Sequence, residues 1–336
     1  MKLLGAFFIS TALFGLVIWE DLLQPTAKPG PLQEQPEPDN PPELGSVHWS
    51  RNLDEGLKTS AASGKPVLIL FQEVPGCSNC TRYGGFTLSH PLIVEAIETY
   101  FTPVCIYNNK GGKDAQALAR FNEPAWNNPV VRIIDASGKD LVPRMADFRS
   151  SAEIVRGMRT ALQEAPAWME ILEEELAVRE NDPIEKTYSM YCFWSGEKIL
   201  GALPGVIETE AGFQHGREVV RVVFDGTQTS EQEIEKKVSP QGIKSCGNPN
   251  GFRKDHTPKY YLAQTHWKYV PMTSLQACKA NVLAANHRSP ESVLSERQVH
   301  MGQFIQTHPE MDWENMIGQK PLSDVWESVA RKIQQG

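Results

Sequence analysis

The sequence predicts an α/β domain followed by an α+β domain, with a membrane-anchor helix ahead of both. Three observations carry this. An apolar run from Leu3 to Trp19 opens the chain behind Lys2. Strand-like and helix-like periods then alternate from His48 to about Glu164, the order expected of an α/β unit. From Thr187 onward strands come first and helices gather toward the end, an α+β pattern. The expected division is 1–22 anchor, 23–46 proline-rich linker, 47–165 first domain, 166–185 connector and 186–336 second domain.

Each element has its own justification. Leu3 to Trp19 is close to the ~20 apolar residues that span a bilayer. Trp19-Glu20-Asp21 follows it where a small-x-small cleavage site would stand, so an uncleaved signal anchor is expected. The folded part would then lie on the extracytoplasmic, periplasmic side. Gln24 to Leu44 holds seven prolines among Gln, Glu and Asp, which predicts an extended polyproline spacer. In the first domain the expected helices are Asp54–Ser63, Pro91–Tyr100, Asp114–Phe121 and Ser151 to about Glu164. Lys65–Phe71, Pro103–Tyr107 and Asn128–Ile134 are the strands, and Ser137-Gly138-Lys139 is a hairpin turn.

Composition narrows the function. The 336 residues favour two domains, and 40% hydrophobic content suffices for packed cores. A formal charge of −8, dispersed and without a basic stripe, argues against nucleic acid as a partner. Eight histidines show no ligand pattern, so neither metal nor cofactor is expected.

Val74-Pro75-Gly76-Cys77-Ser78-Asn79-Cys80 joins a strand to a helix. A helix start stabilises the thiolate of the first cysteine, and the second sits one turn on. Cys77 is therefore the expected attacking thiol and Cys80 the resolving one. Half a zinc site is the alternative, but no second C-x-x-C or H-x-x-x-H completes it. This unit resembles the thioredoxin superfamily over about 120 residues. The resemblance makes Pro129, ahead of a strand, a cis-proline candidate. The Val-Pro-Gly-Cys phrase with Thr81 is similar to a bacterial thioredoxin-like group that often carries selenocysteine at the first position. Cys105, on an apolar strand, reads as inert core.

In the second domain Thr187–Tyr191 reads as a strand running into Cys192, with a helix from there to Leu203. Strands Val206–Phe213 and Val219–Phe224, helix Ser230–Val238, a strand within His256–Trp267, and helices Met272–Ala285 and Ser292–Thr307 complete it. Read alone, Cys192 with Phe193 and Trp194 is either a thiol at a helix start beside an apolar wall or a core cysteine between core aromatics. Glu218 alone is a surface charge or an acid, and Tyr260 is a packing tyrosine or a donor.

The order Cys192-Phe193-Trp194, Leu203-Pro204-Gly205-Val206, Ala211-Gly212-Phe213, then Glu218 leading Val219 to Asp225, resembles the A-type peptide methionine sulfoxide reductases. The resemblance covers about Thr187 to Trp267. It implies that Cys192 is the nucleophile and that Phe193 and Trp194 hold the substrate methyl. It implies further that Glu218 protonates the sulfoxide oxygen, with Asp255 and Tyr260 as matching site residues. Phe213 stands where the family has a second tyrosine, and Tyr191 where it has a glycine.

The reaction so implied is thiolate attack on an electrophilic sulfur, leaving Cys192 as a sulfenic acid that a second thiol reduces. Cys246, in an expected loop, is the candidate resolving thiol; Cys278 reads as core. The expected function is reduction of free methionine sulfoxide or of oxidised methionine residues in proteins, as a peptide-methionine (S)-S-oxide reductase. The tethered Cys-x-x-Cys domain would recycle it, and an upstream thiol reductant would recharge that domain. Two alternatives are a thiol-based binding, assembly or copper-handling factor, and a disulfide reductase whose second domain only selects substrates.

Overall fold

Asn52 accepts the Glu55 N–H and so caps the first helix, α1 (Leu53–Ser63), which Gly64 ends in the left-handed region at φ 74°. A six-residue strand buried along its whole length follows, β1 (Val67–Gln72). Then come α2 (Ser78–Phe86), α3 (Pro91–Tyr100), β2 (Thr102–Tyr107), α4 (Lys113–Arg120), β3 (Val130–Ile134) and α5 (Ser151–Ala161). The structure, a computed structural model, describes residues 39–317, 320, 322–326 and 329. The expected anchor at 1–22 and most of the proline-rich stretch lie outside the described residues. Among the described residues no helix is long and apolar enough to cross a membrane.

The first sheet has the order β2-β1-β3, with β1 parallel to β2 and antiparallel to β3. β1 is buried on both faces because it is central and helices cover each side, which is why it reads as an unbroken apolar run. A Ser50–Val104 bridge extends one edge and Val131–Met145 the other. The hairpin at Ser137-Gly138 closes through an Ile134–Asp140 bridge, as its turn chemistry predicts.

The proline-rich spacer ends sooner than expected. Pro42–Leu44 forms a 3-10 turn with Glu43 and Leu44 buried, where an extended segment was expected to Leu44. It docks on α2 at Gly84, where a Cβ would stand 2.0 Å from the Pro42 carbonyl oxygen, so no larger residue fits. Leu44 supplies apolar surface that a run of prolines and acids does not advertise.

The segment expected as a connector contains a full helix, α6 (Ala167–Glu180), packed on α5 with Trp168, Met169 and Leu172 in the core. β4 (Ile184–Ser189), α7 (Phe193–Gly201), β5 (Val206–Gln214), β6 (Arg217–Phe224), α8 (Glu231–Val238), β7 (Lys244–Gly247) and β8 (Arg253–Lys254) follow. They build a five-stranded antiparallel sheet of order β7-β4-β6-β5-β8. The last described helices include α9 (Tyr260–Ala263), α10 (Ser274–Ala285) and α11 (Glu296–Thr307).

Two expectations fail here. No strand lies within His256–Trp267: Lys259 turns the chain at φ 55°, and α9 and a 3-10 turn follow. The adjacent aromatics Tyr260 and Tyr261 gave that stretch a false strand-like composition. Cys246 is not in a loop but on β7, an edge strand.

One hydrophobic cluster runs from the first sheet (Leu68, Leu70, Cys105) through α6 to Trp267, Met301, Ile305 and Trp313. Buried carboxylates stitch the same seam. Glu95 of α3 accepts from Ser295 Oγ at 2.7 Å and from Arg297 N–H at 2.9 Å, at the start of α11. Glu175 of α6 accepts the Ser274 and Leu275 N–H groups at the start of α10. Each carboxylate meets orphan donors at a positive helix end.

Burial raises the Glu95 carboxyl to about 7, although the Arg297 N–H and guanidinium and the Ser295 hydroxyl oppose the shift. Between its ordinary value and that value the folded protein holds a proton that the unfolded chain has lost. The Glu95 contribution is therefore full below about pH 4.5 and is lost as pH rises through about 7. Unfolding free energy should fall across this window by on the order of 1 kcal/mol per pH unit. Denaturant unfolding of Glu95→Gln from pH 4.5 to 8 should remove that slope; an unchanged slope would assign it elsewhere.

Candidate functional site

The loop from β1 to α2 places Cys77 at the N-cap of α2, exposed, and Cys80 one turn on, buried. Their sulfurs are 3.7 Å apart, a reduced pair within reach of a disulfide. The loop is held from three sides. Glu43 Oε1 accepts the Gly76 N–H at 2.8 Å, Gln72 Nε2 donates to the Cys80 carbonyl at 3.4 Å, and Asn109 Nδ2 donates to the Pro75 carbonyl at 3.2 Å. Cys80 Sγ lies 2.8 Å from Asn128 Oδ1, and the Asn128–Pro129 peptide is cis, as the resemblance implied for Pro129. A second cis peptide, Val74–Pro75, was not foreseen.

The two thiols differ. The Cys80 backbone N–H aimed at Cys77 holds the Cys77 thiol below the ordinary thiol value, against partial burial and the Glu73 charge. Burial pushes Cys80 up to about 11, and the hydrogen bond with Cys77 adds to the rise. Cys80 has a single S–H proton. Asn128 Oδ1 takes it while Cys77 is a thiol, and it can swing to the Cys77 sulfur once that becomes a thiolate. Cys105 is fully buried and pushed up to about 12, so it serves as core.

The second cysteine site is built in the same way. β4 delivers Cys192 to the N-cap of α7, half-buried, with Tyr191 before it fully exposed. The Phe193 N–H in the first turn of α7 donates to Glu218 Oε2 at 3.0 Å. Glu218 faces Phe213 across the β5–β6 hairpin, so the sheet brings its carboxylate to the helix start next to Cys192. Phe193 packs on Phe213 at 5.3 Å and on Trp194 at 5.6 Å, and Trp194 stacks on Tyr260 at 4.0 Å. The structure thus brings Cys192, Phe193, Trp194, Phe213, Glu218 and Tyr260 into one cluster. Trp194 Nε1 is buried there with no hydrogen-bond partner.

Asp255 follows β8 and is held against β5. It is buried, its N–H donates to the Ala211 carbonyl, and its carboxylate accepts the Thr257 N–H at 3.2 Å. Its contacts shape the turn that leads to Tyr260. Cys246 is exposed on β7 beside the Thr187–Tyr188 bulge of β4, whereas Cys192 lies beyond the end of β4 at Ser189. The structure does not bring that pair together.

Three contributors escaped sequence reasoning. Glu197 is fully buried and pairs with Lys259 Nζ at 3.1 Å, while also accepting the Lys259 and Ala211 N–H groups. Burial opposes the Lys259 charge, but Glu197 outweighs it and holds the ammonium above the ordinary lysine value. This pair fixes the residue before Tyr260 from 62 positions away, and no local pattern signals it. Asn128 and Glu73 are the others; each meets the cysteine pair only once the chain is folded.

Alkylation of the reduced protein should separate the thiols. At neutral pH Cys77 should react first and Cys80, Cys105 and Cys278 last, because burial raises all three of the latter. Peptide mapping that finds Cys80 labelled as fast as Cys77 would contradict the asymmetry.

Residues 48–136 match a family model described as thioredoxin-like. No curated protein matches the chain. Among solved structures, one titled DsbH oxidoreductase aligns over 39% of this chain and 95% of its own, at 20% identity and a TM-score of 0.31. The match at 48–136 spans the Cys77–Cys80 pair and supports thiol oxidoreductase chemistry in general terms; residues 48–136 form a thioredoxin-like α/β domain.

Proposed function

We propose that the chain is a two-site thiol oxidoreductase in which Cys192 reduces methionine sulfoxide and Cys77–Cys80 returns it to the thiol state. The observation that carries this is the cluster at the start of α7. A thiol at a helix N-cap stands against an aromatic wall, with a carboxylate one residue away. Cys192 attacks the sulfoxide sulfur, Glu218 supplies the proton to the oxygen, and methionine departs as Cys192 becomes a sulfenic acid. The apolar wall of Phe193 and Trp194 suits the substrate methyl. A thiol of the Cys77–Cys80 pair then displaces hydroxide from the sulfenic sulfur as water. Disulfide exchange frees Cys192 and leaves Cys77–Cys80 oxidised, and an external thiol reductant restores the pair.

Single-turnover assays on the full chain test the assignments. Cys192→Ser should abolish sulfoxide reduction. Glu218→Gln should slow the first turnover by ~10²-fold or more. The amide oxygen of that variant can still accept the Phe193 N–H, so the helix cap is kept while the acid is lost. Cys77→Ser should spare the first turnover and stop recycling. Wild-type protein that reduces no methionine sulfoxide, or Cys192→Ser that retains reduction, would leave the second sheet a binding module.

The Leu3–Trp19 segment supports a location on the extracytoplasmic face of a membrane, reached through the uncleaved anchor. Full-length protein should fractionate with membranes and be open to protease from the non-cytoplasmic side. A soluble, N-terminally processed main species would overturn the anchor.

A further inference from the structure

The loop that carries Cys77 and Cys80 also carries Glu73. Its carboxylate and the two sulfurs each have a ligand atom within 4.8 Å of the others. A carboxylate in that place works against thiol–disulfide exchange, since a negative charge repels the attacking thiolate. The same three groups are matched to a cation.

The spacing fits one geometry well. Two sulfurs each ~2.3 Å from a tetrahedral zinc ion lie about 3.7 Å apart. The Cys77 and Cys80 sulfurs are 3.7 Å apart already, so the thiol pair stands at the spacing the ion requires. A carboxylate oxygen at ~2.0–2.2 Å completes three protein ligands and leaves a fourth position for water or an incoming thiol. The oxygen ligand also selects among thiophilic ions. Copper(I) is satisfied by soft sulfur and gains little from a carboxylate, whereas zinc takes both.

We propose that the reduced Cys77–Cys80 pair and Glu73 form a zinc site, occupied reversibly when the thiols are not engaged in exchange. Binding releases the two thiol protons and oxidises nothing. The ion ties up both sulfurs, so neither can attack a disulfide until it leaves. The site is independent of what the second sheet does, because it uses no residue beyond the thioredoxin-like part.

The test is Zn²⁺ titration of the reduced full-length chain against a chromophoric chelator, with Co²⁺ as a spectroscopic probe. One equivalent should bind, Co²⁺ should show thiolate charge-transfer bands with a tetrahedral ligand-field pattern, and Cys77→Ser should lose the site. Glu73→Gln should weaken Zn²⁺ about tenfold or more, at least the cost of a lost supporting group. It should leave Cu⁺ affinity nearly unchanged. Stoichiometric Zn²⁺ should slow disulfide formation between Cys77 and Cys80 at least about tenfold, with recovery on adding chelator. The proposal is overturned if Glu73→Gln binds Zn²⁺ as tightly as wild type. It is equally overturned if the oxidised chain binds as well as the reduced one, or if Cys192→Ser/Cys246→Ser removes the bound ion. None of these outcomes bears on sulfoxide reduction by Cys192, which the metal-free protein reports separately.

Discussion

Two helix starts buried against carboxylates from earlier in the chain set the terms for the rest of the structure. A helix N-terminus taken out of water leaves N–H groups that must be met, and here Glu95 and Glu175 meet them for α11 and α10. With those ends satisfied, the late helices can lie on the same apolar cluster as the first sheet and α6. The cost is a desolvated acid in the seam, visible as the raised Glu95 carboxyl. α10 in turn backs α7, the helix that begins at Cys192, so the second cysteine site rests on a frame fixed from the first half of the chain.

The two cysteine sites use one device in different settings. Cys77 and Cys192 both stand where a strand has ended and a helix begins. At Cys77 the loop partner is another thiol, and the surroundings are amide and carboxylate groups that hold the backbone. Around Cys192 the partners are aromatic rings, and the carboxylate comes across a sheet rather than along a loop. In the reading proposed above, that difference suits the first to exchange with sulfur and the second to hold a substrate. At α7 the close approach to the sheet depends on Gly196, whose missing Cβ leaves room for Met190 and Val220.

Much of this was legible in the sequence where the signal is local. β1 shows itself as an apolar run, Gly138 marks a turn, and Cys77-x-x-Cys80 announces a strand-to-helix corner. The cis peptide before Pro129 followed from resemblance, not from pattern. What stayed hidden was set by distant chain. Lys259 sits in the left-handed region against buried Glu197, and that turn converted an expected strand into α9. Reading 166–185 as a connector gave no sign of how firmly Trp168 and Met169 are buried. Cys246 looked mobile among Gly, Asn and Pro, yet pairing with β4 fixes it on an edge. Glu73 carries no local signature, because metal-ligand spacings are patterns of Cys and His and it is a lone acid two residues ahead of a proline.

The 3-10 turn at Pro42–Leu44 has a mechanical consequence. It is wedged onto α2 at Gly84 and reaches forward through Glu43 to the Gly76 N–H, one residue from Cys77. Asn40, just ahead of it, ties the segment to the Gly45 and Val47 carbonyls at 2.8 Å each. A displacement of Pro42–Leu44 is therefore passed to the corner that sets the Cys77 thiol. Movement of this short turn would be felt at the Gly76 N–H, next to the Cys77 thiol.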